Sequence, residues 1–364
     1  MAGISKKEKI KEYLQLITVK KNKSLLEVCF TGMLFVLAVI YGFILRLRLF
    51  CYDNGLLPVY KSRLKVISVG NITVGGTGKT PLVAMIAEFL ISKKQSVSII
   101  SRGYKTINLE PDFADEPMML KKHLPNANVI IDKDRKQAII NLEKRSNSDI
   151  VILDDAFQNC AIDKVLDIVC ISCLNPFGND YIIPRGIMRL PFAYLKRADI
   201  FVLTHCSADL DILNIIEVLK QYNPKALICK TKHVSEYFYD LYSNKQENED
   251  FIKNKKVAIV CGISQPENFK QMIVSLNAEI GLKFYFPDHH SFDQEQVKTI
   301  IKQCEINKIS FIITTAKDEP RLKKVLEQDV FSKLALRILV LKIKINLEEN
   351  EEGFTNRLSS VFAA

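Results

Sequence analysis

The chain has 364 residues, of which 48% are hydrophobic and 25% charged, and its formal net charge is +10. This length is enough for two domains with real cores, and the composition argues against a disordered chain and against a polytopic membrane protein. The basic excess is typical of proteins that meet nucleic acid, anionic membrane or phosphorylated ligands, and the positions of the lysines separate these classes.

The amino-terminal segment is first basic and then apolar. Residues 1–23 carry seven lysines, and residues 28–45 contain no charge. Eighteen residues is the lower limit for crossing a bilayer, and the run is too long for the apolar part of a cleaved signal peptide. A single span would place the lysines outside if the rest of the chain is cytosolic. We therefore expect a membrane-associated helix that lies in the inner face of a membrane, with a buried core helix as the alternative.

Nine cysteines, odd in number and mostly inside apolar runs, indicate reduced thiols in a cytosolic compartment. Cys170 and Cys173 form a C-x-x-C, but no second pair completes a zinc site. We interpret them as core thiols.

After Pro58, short β-branched runs alternate with helical stretches, which predicts a doubly wound α/β sheet. The predicted strands are 64–70, 96–101, 128–132, 149–155, 166–173 and 198–205, followed by 257–263, 282–290, 309–318 and 336–345. A polar stretch at 242–256 suggests a boundary between them. We expect a tail and helix (1–57), a larger α/β domain (58–245) and a smaller α/β domain (246–364).

The segment "VGNITVGGTGKTP" (69–81) predicts a phosphate-binding loop between a strand and a helix. Its glycines allow successive N–H groups to surround phosphate oxygens, Lys79 would reach the β and γ phosphates, and the Thr80 hydroxyl would ligate Mg²⁺. The strict pattern is missed at its first position, where Thr73 replaces glycine. The expected nucleotide-binding residues are Thr73, Val74, Gly75, Gly76, Thr77, Gly78, Lys79 and Thr80.

The run "DIVILDDAFQ" ends an apolar strand in two carboxylates, Asp154 and Asp155. A metal held opposite a phosphate-binding loop needs an anion of this kind. The alternative for the pair is a helix cap followed by a solvent-facing acid. Together, the loop and the acids favour binding of ATP with Mg²⁺.

Further segments follow in a characteristic order: "SRGY" (101–104), "DEP" (115–117), "DKDR" (132–135), "IPRGIMR" (183–189), "LKRAD" (195–199), "FPDHH" (286–290) and "TTAKD" (314–318). With the loop and the acids, they closely resemble the tetraacyldisaccharide 4′-kinase family, over nearly the whole chain. The resemblance implies an ATP-dependent kinase that phosphorylates the 4′-hydroxyl of tetraacyldisaccharide 1-phosphate, a lipid A precursor, to form lipid IVA. It also implies a location at the cytoplasmic face of the bacterial inner membrane.

The resemblance implies roles for individual residues. Asp115 corresponds to the catalytic base, paired with His289, and Asp288 would position His289. Lys79 would act on the phosphates, while Thr80, Glu116, Asp154 and Asp155 would surround Mg²⁺. Four arginines stand where phosphates could be bound: Arg102, Arg135, Arg185 and Arg189.

The chain departs from the pattern of the family at four positions. Asn159 and Cys160 stand where a His-Arg pair is common, Leu190 stands where an acid usually follows the arginine, and Ala316 stands where Glu is usual. None of these changes removes the loop, the base or the metal acids.

Two other function classes remain as alternatives. A membrane-associated P-loop ATPase or GTPase switch would share the loop, Asp154 and the apolar helix, but would not need Asp115 with His289. It would normally carry an N-K-x-D signature, to which "TTAKD" is the nearest match. Nucleic-acid binding is disfavoured because the basic residues concentrate beside an apolar helix without interleaved aromatic side chains. No obligate protein partner is evident.

Overall fold

The computed structural model describes residues 24–103, 115–145, 148–206, 210–288, 290–326 and 336–363, with the backbone only at positions 115 and 116. The helices are α1 (Leu25–Asp53), α2 (Lys79–Ser92), α3 (Asp115–His123), α4 (Arg135–Arg145), α5 (Ile212–Tyr222), α6 (Pro266–Ser275), α7 (Gln294–Ile306), α8 (Glu319–Leu326) and α9 (Glu351–Ser360). Short 3₁₀ segments lie at Phe192–Arg197 and Glu249–Ile252.

The strands are β1 (Lys65–Gly70), β2 (Val97–Ser101), β3 (Asn128–Ile131), β4 (Ile150–Asp154), β5 (Leu166–Ser172), β6 (Ile200–Thr204), β7 (Leu227–Asp240), β8 (Gln246–Glu247), β9 (Lys256–Cys261), β10 (Glu279–Tyr285), β11 (Phe311–Thr315) and β12 (Arg337–Glu349). All ten predicted strands are confirmed. The sequence analysis missed β7, because its charged residues Lys230 and Lys232 interrupt the apolar run that marks a buried strand.

The chain divides into two compact units. Unit 1 contains Met1–Tyr104, His123–Lys232 and Leu347–Ala364, and unit 2 contains Lys105–Lys122 and His233–Asn346. These bounds differ from the expected ones: residues 1–57 are part of unit 1, and the boundary expected after residue 245 lies after Lys232, within β7. The segment before residue 123, which carries α3, groups with unit 2, and the last residues of the chain return to unit 1.

The sheet of unit 1 has the strand order β7-β6-β5-β1-β4-β2-β3, and its paired strands are parallel. Strands β1, β2, β4, β5 and β6 are buried almost throughout, as expected for a parallel sheet covered on both faces. From β1 the chain crosses to β2, and from β4 it crosses to β5 on the other side of β1. This reversal forms the kind of crevice at the carboxyl ends of the strands where ligands bind in such folds.

Helix α1 packs on unit 1 through one face only. Its buried residues are Thr31, Leu34, Ala38, Gly42, Leu45 and Leu49. Ser24 and Glu27 form a capping box at its start. The other faces expose large apolar side chains, such as Leu26 at 83% and Phe43 at 64%. The alternative of a buried core helix is therefore wrong, and α1 is long and apolar enough to cross or enter a membrane.

The sheet of unit 2 has the order β10-β9-β11-β12, followed by the second half of β7. Strands β9, β10, β11 and β12 pair in parallel, and β8 forms an antiparallel pair with β7. The unit therefore has its own α/β core, with buried clusters on both sides of β9 and β11.

Candidate active site

The predicted phosphate-binding loop lies between β1 and α2, as expected. The strand ends at Gly70 and the helix begins at Lys79. Gly75 has φ 115° and Gly78 has φ 78°, which are backbone conformations that side-chain-bearing residues rarely adopt. Gly78 also caps α2, so the first N–H groups of this helix face the loop.

The loop is braced from the protein interior. The Asn71 side-chain amide donates to the Thr77 hydroxyl (2.9 Å), and the Thr204 hydroxyl donates to the Thr77 carbonyl (2.9 Å). Thr73 and Thr77 are buried, whereas Gly75 and Gly76 are exposed. The two threonines are therefore placed to shape the loop, and its exposed glycines and the start of α2 remain open for a ligand.

A second segment pairs with the outer side of the loop. The Val74 N–H donates to the Ile187 carbonyl (2.8 Å), and the Arg189 N–H donates to the Ile72 carbonyl (2.7 Å). The loop and the "IPRGIMR" segment thus form one backbone-paired unit. This pairing places Arg189 beside the acids described next.

The two carboxylates at the end of β4 occupy different environments. Asp154 is buried and accepts a hydrogen bond from the Ser101 hydroxyl at the end of β2 (3.1 Å). Asp155 has φ 48° and lies close to two cations. Its carboxylate accepts from Arg189 Nη1 at 2.9 and 3.0 Å, and Lys79 Nζ lies 3.5 Å away.

These cations decide the charge of Asp155. Burial alone would raise the pKa of this carboxyl group, but Lys79 and Arg189 outweigh burial and hold the pKa below its ordinary value of 3.8. Asp155 is therefore ionised at neutral pH. Its side chain is 21% exposed, so the anion remains accessible to a ligand from solvent.

The hard oxygen donors expected of a magnesium site are present in part. Thr80 is half-buried at the start of α2, and Asp154 and Asp155 end the neighbouring strand. Such donors suit Mg²⁺, which keeps several waters and needs only one or two carboxylates. The side chain of Glu116 lies outside the described residues, and among the described residues no group of three His, Cys, Asp or Glu side chains forms a metal cage.

The four predicted phosphate-binding arginines have different surroundings. Arg189 pairs with Asp155, as described above. Arg135 is buried and donates to the carbonyls of Asp154 (2.6 Å) and Asp155 (2.9 Å), so it supports the backbone of the acid pair. Arg102 is exposed after β2, and the Arg185 guanidinium lies 5.0 Å from the centre of the Tyr181 ring.

Unit 2 carries the remaining predicted catalytic segments. His289 and the side chain of Asp115 lie outside the described residues, although the Asp115 backbone begins α3. Asp288, the residue before position 289, forms an ion pair with Lys317 (2.8 Å). The ring of His290, the residue after position 289, stacks on Phe286 and forms a hydrogen bond with the Gln296 side chain (3.0 Å).

Sequence reasoning missed several supporting residues. Ser101 and Thr204 stand at the carboxyl ends of buried strands, where a single polar residue is a usable signal. Lys122 and Glu319, which form an ion pair in unit 2, stand in charged runs that look like solvated helix surface. Two of the residues that depart from the family pattern have clear surroundings. Leu190 is buried in the core, and the Cys160 sulfur accepts a hydrogen bond from Arg197 Nη1 (2.9 Å).

Known proteins resemble this chain over nearly its full length. Residues 30–363 match the family described as LpxK, tetraacyldisaccharide-1-P 4′-kinase. The tetraacyldisaccharide 4′-kinase of Halothermothrix orenii is 32% identical, covering 94% of this chain and 96% of that protein. The enzyme of the same name from Flavobacterium psychrophilum is 34% identical, covering 89% and 95%.

A solved structure has the same fold. It is the crystal structure of LpxK from Aquifex aeolicus in complex with ATP, with a TM-score of 0.69 and 24% identity, covering 92% of this chain and 99% of that one. The regions that match the family and the two relatives include residues of both units. The chain therefore belongs to the tetraacyldisaccharide 4′-kinase family and is a kinase of lipid A biosynthesis.

Proposed function

We propose that this enzyme transfers the γ-phosphoryl group of ATP to the 4′-hydroxyl of tetraacyldisaccharide 1-phosphate, forming lipid IVA and ADP. The observation that carries the proposal is the phosphate-binding loop with Lys79, Asp155 and Arg189 at its mouth, in a chain of this family. Loop N–H groups and Lys79 bind the phosphates. At 3.5 Å, Lys79 is not tightly bonded to Asp155 and can turn toward a phosphate.

Two further groups of residues complete the reaction. Thr80, Asp154 and Asp155, with Glu116, would hold Mg²⁺, which neutralises phosphate charge when bound. Asp115 accepts the proton of the attacking 4′-hydroxyl, and His289 shares or orients that proton. The new bond joins the sugar oxygen to phosphorus as the bond to ADP breaks. These roles rest on the family resemblance of the "DEP" and "FPDHH" segments.

The contacts of α1 support the proposal that the substrate stays in the membrane. The residues just before the segment that pairs with the phosphate-binding loop contact this helix, because the ring of Tyr181 packs edge-on against the ring of Phe35, with 5.8 Å between the ring centres. One segment of about ten residues thus joins an exposed apolar helix to the ATP site. We place the enzyme at the cytoplasmic face of the inner membrane, where ATP and the acylated substrate meet. The lysine-rich residues 1–23 lie outside the described residues.

The switch alternative shares the loop but explains less of the chain. A nucleotide switch has no use for the acid and histidine segments of unit 2, and the matched family is a kinase family. Hydrolysis of ATP without transfer to lipid would be its signature.

The test is transfer of labelled γ-phosphate from ATP to tetraacyldisaccharide 1-phosphate in mixed micelles. We expect Lys79→Ala to lower the rate at least about 100-fold, because a phosphate contact is lost where charge develops. Asp115→Ala should lower it about 10²- to 10⁴-fold through loss of the base. The exposed Lys93 at the other end of α2 is the matched control, and Lys93→Ala should transfer at the wild-type rate.

Each failure has a distinct meaning. ATP hydrolysis without labelled lipid in the wild type would replace the kinase proposal with the switch. Normal transfer by Asp115→Ala would refute the base assignment alone. Normal transfer by Lys79→Ala would refute the proposed use of the loop.

A further inference from the structure

Helix α3 begins at Asp115, and side-chain contacts of Lys122 hold its other end. The Lys122 ammonium pairs with the Glu319 carboxylate and lies 4.2 Å from the centre of the Tyr239 ring. The Tyr239 hydroxyl donates to the other oxygen of Glu319 (2.6 Å). Glu319 and Tyr239 are almost fully buried, whereas Lys122 is 38% exposed. A lysine from the surface thus contacts a buried carboxylate and the face of an aromatic ring.

The residues around Glu319 also contact the predicted histidine segment at 286–290. Lys317 pairs with Asp288 (2.8 Å), and Arg321 Nη1 donates to the His290 carbonyl (3.0 Å). Asp318 anchors the stretch to the end of β9 by accepting from the Gly262 N–H (3.1 Å). We call residues 315–321 the anchor segment. It contacts α3 through Glu319 and both neighbours of position 289 through its two cations.

We propose that Lys122 is a positioning residue for Asp115. It acts by holding the end of α3 through its contacts with Glu319 and Tyr239. This inference rests on the proposed function, in which Asp115 is the base. Positions 115 and 122 are seven residues apart, so they lie two turns apart on one face of the helix. Because α3 has only nine residues, a contact that holds its last turn also limits the rotation and translation of its first.

A purely structural ion pair with a buried partner would change the stability of the fold when it is broken and would leave kcat per folded molecule unchanged. A positioning role predicts a different signature. Displacement of a reacting group by about 1 Å costs on the order of 100-fold in rate. Loss of Lys122 should therefore lower kcat. The KM for ATP should stay the same, because the phosphate-binding loop belongs to unit 1.

The experiment measures kcat and KM for ATP in the micelle assay for Lys122→Met, Lys122→Arg and Lys121→Met. We expect Lys122→Met to lower kcat at least about tenfold, with KM for ATP changed by less than about twofold. Lys122→Arg keeps the charge and should recover most of the loss. Lys121 is exposed on the same helix, and Lys121→Met should behave as wild type.

Two measurements keep this inference separate from the proposed function. If Asp115→Asn is inactive while folded Lys122→Met has the wild-type kcat, the positioning role is overturned and the base stands. If Asp115→Asn is fully active, the base assignment fails first and the positioning role with it. Should Lys122→Met not fold, Glu319→Gln removes the partner charge at nearly constant shape, and a wild-type kcat there would overturn the inference.

Discussion

Two aspartates that follow strands, Asp155 after β4 in unit 1 and Asp318 after β11 in unit 2, have similar partners and different environments. Each meets an arginine: Arg189 for Asp155 and Arg321 for Asp318. Asp155 is 21% exposed, and its cations lower its pKa. Asp318 is fully buried, and burial raises its pKa although Arg321 and the Thr315 hydroxyl oppose the shift.

The difference fits the proposed ligand-binding role of Asp155 and a structural role of Asp318. The Asp318 carboxylate accepts from the Gly262 N–H, the Thr315 hydroxyl (2.6 Å) and Arg321 (2.9 Å), so it is occupied on both oxygens by the protein itself. Asp155 is bonded by one arginine nitrogen and leaves an exposed side. A partly exposed anion can exchange its cations for a ligand, whereas a fully buried anion with both oxygens bonded holds its neighbours in place.

The largest expected effect comes from breaking the enclosed anion. Asp318→Ala removes a buried carboxylate that accepts from Arg321, the Gly262 N–H and the Thr315 hydroxyl, which should lower the free energy of unfolding by about 3–5 kcal/mol. Urea unfolding followed by circular dichroism measures it. The exposed Asp293, which caps α7, is the control, and Asp293→Ala should cost only about 1 kcal/mol. Equal costs for the two variants would contradict the comparison.

The next effect concerns the open anion, and it should appear in activity rather than stability. Asp155→Asn removes a charge beside the phosphate-binding loop, so we expect phosphoryl transfer to fall about 100-fold. The free energy of unfolding should change by less than about 1 kcal/mol, because the lost ion pairs are partly exposed. The exposed Asp163 is the matched control. A variant that is destabilised by several kcal/mol but active per folded molecule would show that Asp155 is structural.

The sequence allowed the strand, loop and helix at 65–92 to be predicted, because an apolar run, glycines and a lysine are local signals. It also indicated the acid pair, since a buried strand that ends in two aspartates is unusual. The positions of Ser101 and Thr204 at strand ends are visible in the sequence, but their partners depend on the pairing of β2 with β4 and on the fold of the loop. Leu190 illustrates the same limit. Its replacement of an acid is understandable only once the side chain is seen in the core.

The smallest expected effect is the pH dependence of stability, and here the two aspartates should act in opposite directions. Both have an ordinary pKa of 3.8. The folded-state pKa of Asp155 is lower, so its contribution is present above 3.8 and is lost as pH falls through the folded value. The folded-state pKa of Asp318 is higher, so the folded state binds the proton more tightly and stability is lost as pH rises from 3.8 through the folded value.

Urea midpoints from about pH 3 to 6, for wild type, Asp155→Asn and Asp318→Asn, test this expectation. Subtracting each variant from the wild type cancels the titration of the other groups. The difference for Asp155 should shrink toward the acid end of the range, and the difference for Asp318 should shrink toward the neutral end. Two difference curves that change in the same direction with pH would contradict this expectation, and exposure would then not distinguish the two carboxylates.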